Sequence, residues 1–179
     1  HATTVSPATI ARYLGRAGLV AAQPNKRPRA SYIRFAAELP NECWQSDFTH
    51  WPLADSTDVE ILTFLDDHSR YALSCTVHAP VTGDIVVTAF RAAIDAHGVP
   101  ASTLTDNGLV FTTRFLHGPN GFERELVILG IEQKNGKPNH PQTQGKVERF
   151  QQTLKKWLRA QPPAATLLDL QAQLDEFTD

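Results

Sequence analysis

The sequence predicts an α/β fold: a mixed five-stranded sheet, three antiparallel strands followed by alternating helices and strands, with helices on both faces. Two observations predict it. Between residues 43 and 77, three runs rich in β-branched and aromatic residues follow one another with only short connections, which suits an antiparallel meander. After residue 80, helical apolar periods alternate with short strand-like runs, the pattern that joins further strands to a sheet through helices.

The elements follow in order. Ser6 is an N-cap with Pro7 in the first helical position, and Ile10, Tyr13, Leu14 and Ala17 supply a helical period that Gly18 stops. One such helix cannot bury its own face, so it needs a partner or is loosely held. Residues 1–22 read as the last helix of a helix-turn-helix unit, and 23–40 as a basic, proline-bearing linker. The core is 41–179, with strands at about 43–49, Val59–Asp66 and Tyr71–Val77. A helix follows at Gly83–His97, with Ile85, Val86, Ala89, Phe90, Ala93 and Ile94 on one face and Gly98-Val99-Pro100 ending it. A strand at about 102–105, a helix at 121–129 and a strand at Ile131–Lys134 come next. A helix from about Gln144 to Leu158 and an amphipathic one at Leu167–Phe177, separated by Pro162-Pro163, complete the order.

Composition narrows the classes. A hydrophobic content of 41% over 179 residues supports one good core and excludes a disordered chain. There is no apolar run of membrane-spanning length and no signal-peptide pattern, so the chain reads as soluble and cytoplasmic, with no membrane partner. Cys43 and Cys75 have no metal-binding spacing and are expected to be free thiols. The His1 start without any Met, and the stop at Asp179, suggest a piece of a longer protein.

The net charge of −2 hides a segregation. Residues 1–34 carry six positive residues and no acid; 134–159 carry seven against Glu148 alone; 35–133 carry four against fourteen acids. Two basic segments flanking an acidic centre suit contacts with phosphates, although either alone also fits a solvated helix face. Within the acidic centre and beyond it, three acids occupy three different settings. Asp47 lies in the strand Trp44-Gln45-Ser46-Asp47-Phe48-Thr49, Asp106 ends Ser102-Thr103-Leu104-Thr105 and opens the turn Asp106-Asn107-Gly108, and Glu148 lies near the start of a helix. Carboxylates so placed are able to meet at one point, and oxygen clusters of that kind suit hard divalent cations.

On the helix carrying Glu148, Val147, Phe150, Leu154, Trp157 and Leu158 form a stripe to be buried. Glu148, Gln152, Lys155 and Arg159 form a second stripe on a different face. Gly145 leaves room for a close approach at the helix start, and Lys146 either reaches a phosphate or is solvated. Asp66 and Asp67, with Ser69-Arg70, read as turn-forming; Asp55, Asp58 and Glu60 read as lying in or beside an exposed hairpin. His50 and His140 are left out of the reactive set, and Trp44 and Trp51 are expected to pack.

Four segments together resemble the catalytic core of the DDE integrase and transposase superfamily, above all bacterial insertion-sequence transposases with a retroviral-integrase-like core. They are Trp44-Gln45-Ser46-Asp47-Phe48-Thr49, Asp66-Asp67-His68-Ser69-Arg70, Thr105-Asp106-Asn107-Gly108 with Phe111-Thr112, and Asn139-His140-Pro141-Gln142-Thr143-Gln144-Gly145-Lys146-Val147-Glu148-Arg149-Phe150. The resemblance implies a ribonuclease H-like fold and a catalytic and metal-binding triad of Asp47, Asp106 and Glu148. It further implies two Mg²⁺ (or Mn²⁺) ions that support cutting at the element's ends and joining of the DNA 3′-hydroxyl to target DNA. Lys146, Gln152, Lys155, Lys156, Arg159 and Asn107 are the implied DNA contacts, double-stranded DNA the implied partner, and a homo-oligomer on DNA the implied assembly. Residues 136–143 look like the family's active-site loop, and the stretch around His117–Gly121 like an insertion before the second core helix. Leu109 stands where many relatives carry a small or polar residue. Two other readings remain open on the same fold: a catalytically inactive DNA-binding or regulatory protein, and a ribonuclease H-like nuclease.

Overall fold

The computed structural model describes residues 6–18, 36–113, 118–135 and 145–179. Most of the basic linker, the 136–143 loop with Lys137 and His140, and His117 in the proposed insertion lie outside the described residues. The chain divides into two units, His1–Arg34 and Phe35–Asp179.

The first unit contains helix α1 (Pro7–Arg16). Ser6 caps it, its hydroxyl accepting from the Thr9 amide at 3.3 Å, and Gly18 leaves it at φ 68°. Ile10, Tyr13 and Leu14 are exposed, as expected of a single amphipathic helix.

The second unit is built on strands β1 (Trp44–Pro52), β2 (Asp58–Asp66), β3 (Ala72–His78), β4 (Ser102–Thr105) and β5 (Glu132–Asn135). Its helices are α2 (Gly83–His97), α3 (Gly121–Leu129), α4 (Gly145–Leu158) and α5 (Leu167–Thr178). The sheet order is β3-β2-β1-β4-β5. The β1–β2 and β2–β3 pairs are antiparallel, and β1–β4 and β4–β5 are parallel. This is the mixed sheet that the sequence predicts.

Alternation along β2 feeds two cores. Leu62 and Phe64 join Trp44, Val86, Phe90, Phe111, Phe122 and Leu126, and so meet α2 and α3. Val59 and Ile61 join Cys75, Val77, Leu154, Leu158, Leu170 and Leu174, and so meet α4 and α5. Side chains that point to opposite faces at successive positions make this division automatic. Phe90 is the centre of the first core, with ring contacts to Trp44 (5.7 Å), Phe64 (5.5 Å) and Phe122 (5.2 Å).

Element ends differ from the expected ones by a few residues, each for a local reason. β1 runs on to Pro52 because its antiparallel register with β2 continues to the pair Pro52–Asp58. β5 starts one residue late because Ile131 belongs to the end of α3. Gly130 turns left-handed at φ 67°, and the Ile131 amide donates to Leu126 O at 2.8 Å. β3 starts after Tyr71, whose carbonyl accepts from the Asp66 amide at 3.0 Å to close the turn. Gly118, Pro119 and Asn120 precede α3 as expected of an inserted loop, and Asn120 caps the helix in a reciprocal capping box with Glu123. Both cysteines are free thiols. Among the described residues no helix is long and apolar enough to cross a membrane.

Candidate active site

Strand alternation decides which way Asp47 faces. Trp44 and Phe48 belong to the core under α2 and α3, so Gln45 and Asp47 face the other side, toward α4. Two contacts agree: the Val147 amide donates to Gln45 Oε1 at 3.2 Å, and Gln151 Nε2 donates to Asp47 Oδ2 at 3.3 Å. The parallel register pairs Trp44 with Thr103, Gln45 with Leu104 and Ser46 with Thr105. Asp106 directly follows the last pair of that register, and its carboxylate is near enough to act on Asp47.

Asp106 is held by its own turn. Its Oδ1 accepts from the Gly108 amide at 2.8 Å. A Cβ at Gly108 would come within 2.9 Å of that oxygen, so the Asp-x-Gly spacing protects the carboxylate's position. Asn107 is half-buried within the same turn.

Glu148 stands in the first turn of α4, where a helix N-terminus favours negative charge. It is exposed, while Val147, Gln151, Leu154 and Leu158 are buried. The stripe expected to be buried is therefore on the protein side. Gln152, Lys156 and Arg159 are exposed and Lys155 is half-buried on the opposite side of the helix.

The electrostatics report the convergence. Burial first, then the neighbouring Asp106 carboxylate, push Asp47 up from 3.8 to about 6. Glu148 adds a smaller push, while the Phe48 amide (2.9 Å) and the Gln151 side chain pull the other way. Like charges held together disfavour the ionised form, and desolvation acts in the same direction. Among the described residues, however, no three His, Cys, Asp or Glu side chains are grouped tightly enough to hold a metal ion by themselves. Asp106 and Glu148 both act on Asp47 without completing a three-carboxylate ligand set. In chemistry the donors fit a hard divalent cation: all are carboxylate oxygens, and a cation would relieve the repulsion that raises Asp47.

Lys146 departs from the solvated expectation: its ammonium pairs with the Asp67 carboxylate in place of a phosphate, and the lysine side chain is 12% exposed. The turn-forming acids behave as expected. Asp66 accepts from Ser69 N (2.7 Å), Ser69 Oγ (2.6 Å) and Asn41 N (2.9 Å). Burial alone would raise Asp66, but these donors outweigh it and hold the group below the usual carboxylate range. Arg70 takes φ 67° in that turn. His50 pairs with Asp58 at 2.7 Å on the exposed hairpin, Trp44 is fully buried and Trp51 is half-buried against the second core. Leu109 is 67% exposed.

Sequence reasoning assigned no role to Gln151 or Gln45. A signal for Gln151 was present: it falls four residues after Val147, so a polar amide interrupts the stripe that the helix buries.

The Integrase core domain family matches residues 37–141, and a second Integrase core domain family matches residues 129–179. The insertion element IS407 uncharacterized 31.7 kDa protein of Burkholderia multivorans is 32% identical over 141 residues, covering 72% of this chain and 51% of that protein. The insertion element IS476 uncharacterized 39.2 kDa protein of Xanthomonas euvesicatoria is 32% identical over 103 residues, covering 56% of this chain and 30% of that protein. The chain thus spans about half or less of the length of these curated relatives. The HTLV-2 integrase catalytic core domain in complex with magnesium superposes with a TM-score of 0.56 at 25% identity, over 69% of this chain and 72% of that one. A simian T-cell lymphotropic virus intasome superposes with a TM-score of 0.64 at 25% identity, over 86% of this chain and 53% of that one. With a family match over more than half its length, and solved integrase cores that share its sheet and helices, the chain belongs to the Integrase core domain family.

Proposed function

We propose that this chain is the catalytic core of a DNA transposase, a metal-dependent strand transferase that cuts at element ends and joins the DNA 3′-hydroxyl to target DNA. The observation that carries the reading is the carboxylate cluster itself, in which burial, Asp106 and Glu148 together hold Asp47 near 6. Such a cluster is costly for the protein alone and useful for a cation. The magnesium bound to the HTLV-2 core supports extending that reading to Mg²⁺ or Mn²⁺ here.

Asp47, Asp106 and Glu148 would hold two divalent ions. Metal held by these carboxylates would supply Lewis-acid activation of the attacking hydroxyl and charge stabilisation for the displaced oxygen of a phosphodiester. The protein's own part is positional. β1 carries Asp47, β4 ends just before Asp106, and the Gly108 turn fixes the Asp106 carboxylate. Gln151 orients Asp47 by donating to one oxygen. The exposed face of α4 brings Gln152, Lys155, Lys156 and Arg159 to the DNA backbone, with Asn107 at the Asp106 turn as a further contact. Residues 1–22 belong to an end-recognition module, and the protein works in the bacterial cytoplasm. The working assembly is a homo-oligomer on DNA, a reading that the intasome likeness supports.

The test uses a labelled duplex carrying the element end, a target duplex and Mg²⁺ or Mn²⁺. Joined product in the wild type, absent from Asp47→Asn, Asp106→Asn and Glu148→Gln proteins that melt as the wild type does, is the expected outcome. Full joining by any of the three variants overturns the triad. DNA binding with no cutting in the presence of metal would favour the inactive DNA-binding alternative, and cutting of RNA–DNA hybrids in place of joining would favour the nuclease.

A further inference from the structure

The ion pair between Lys146 and Asp67 lies outside the carboxylate cluster. Its side chains are 12% and 7% exposed, so both charges have lost most of their water. A buried pair is weak evidence for stability, because desolvation offsets most of the attraction and an apolar pair of similar size often serves as well. Its value is therefore to be sought in the geometry it imposes.

That geometry is a closed circuit. Lys146 Nζ donates to the Asp67 carboxylate and, at 3.0 Å, to the Asp67 backbone carbonyl. The other carboxylate oxygen of Asp67 accepts from Gln45 Nε2 at 2.7 Å. Gln45 is 1% exposed, and its Oε1 accepts from the Val147 amide at 3.2 Å. Asp67 is itself tied to the start of β1, its amide donating to Cys43 O at 2.9 Å, and its Oδ2 accepts from the Ala37 amide at 2.6 Å. The circuit thus grips two successive residues of α4, 146 and 147, and the next residue is Glu148. Its other end, Gln45, is two residues from Asp47 on the same face of β1.

We propose that Lys146, Asp67 and Gln45 are positioning residues, which clamp the first turn of α4 to β1 and the β2–β3 turn and so set where Glu148 stands relative to Asp47. The consequence for catalysis rests on the function proposed above; the clamp itself does not. Two of the three acids are set by the sheet, Asp47 on β1 and Asp106 just past the end of β4. The third, Glu148, is carried by a helix, and the structure gives that helix a charged, directional tie beside its acid, where an apolar contact would allow sliding and rotation. A misplacement of about 1 Å in such a constellation costs roughly a hundredfold in rate.

The test compares the 179-residue chain with Lys146→Met, Lys146→Arg and Asp67→Asn variants, the last removing the charge while keeping an acceptor for Gln45 if the methionine variant fails to fold. Amide exchange by mass spectrometry reports on peptides covering 145–151 and, as a reference, β2. Mn²⁺-dependent joining gives kcat and the KM for DNA, and DNA binding is measured across a range of salt. The expected result for Lys146→Met or Asp67→Asn is exchange about tenfold faster in 145–151 with β2 unchanged. With it, kcat falls by about ten- to a hundredfold, while the KM for DNA and the salt slope stay as in the wild type. Lys146→Arg recovers most of both. Unchanged exchange overturns the clamp, and with a salt slope reduced by about one it returns Lys146 to a phosphate. Faster exchange with unaltered kcat overturns the positioning role. A wild-type protein that neither binds Mn²⁺ nor joins DNA refutes the catalytic reading, and the exchange result then decides the clamp alone.

Discussion

Asp47 carries a charge that its surroundings oppose. With its folded-state value near 6 and an ordinary value of 3.8, the folded protein holds this proton more tightly than the unfolded chain does. The metal-free protein therefore gains stability from this group below about pH 4 and loses it as pH rises through about 6. Melting temperatures of the wild type should fall across that window, relative to Asp47→Asn, and millimolar Mg²⁺ should remove the difference at pH 7. Parallel curves for the two proteins across pH 4–7 would show that the cluster is not formed. Gln151 acts on the same carboxylate from α4. Gln151→Leu removes a donor to the ionised form, so Asp47 should titrate higher still, as read from the side-chain carboxyl carbon by NMR; a value that does not move would separate Gln151 from the site.

Helix α4 has two faces with two tasks. Val147, Leu154 and Leu158 bury one against the sheet, and Gln152, Lys155, Lys156 and Arg159 lie on the other. Lys155→Ala should weaken binding to duplex DNA and lower the salt slope by about one counterion, with no shift in melting temperature. An unchanged slope would place Lys155 on a merely solvated face. The apolar period was enough to read these faces from the sequence, and the Asp-Asn-Gly turn was enough to read the setting of Asp106. What the sequence did not disclose was long-range pairing between polar side chains. Lys146 and Asp67 are 79 residues apart, Gln151 and Asp47 are 104 apart, and no local pattern announces either contact. Strand ends were likewise decided by partners: β1 runs to Pro52 because β2 continues opposite it.

At the scale of the molecule, the sheet separates two apolar cores and holds the carboxylates at its α4 face. Phe90 lies in the core on the face of the sheet away from α4, and its truncation to alanine should cost about 3–5 kcal/mol of stability. In denaturant titrations the midpoint should fall while Mn²⁺ binding persists in the protein that stays folded. Loss of binding in the folded protein would mean that the two faces are not independent. The alternation of β2 is what makes them so, and it was legible because the period of a strand is strict. That Asp106 acts on Asp47 was legible only through the order of the elements, since β4, which ends just before Asp106, pairs parallel to β1. The most direct measurement is the position of Mn²⁺ in crystals soaked with the ion, located by its anomalous signal. An ion between Asp47 and Asp106, lost in Asp106→Asn, is the result predicted by a metal-dependent strand transferase. Millimolar Mn²⁺ found elsewhere, or held equally well by the Asp106→Asn protein, would contradict it.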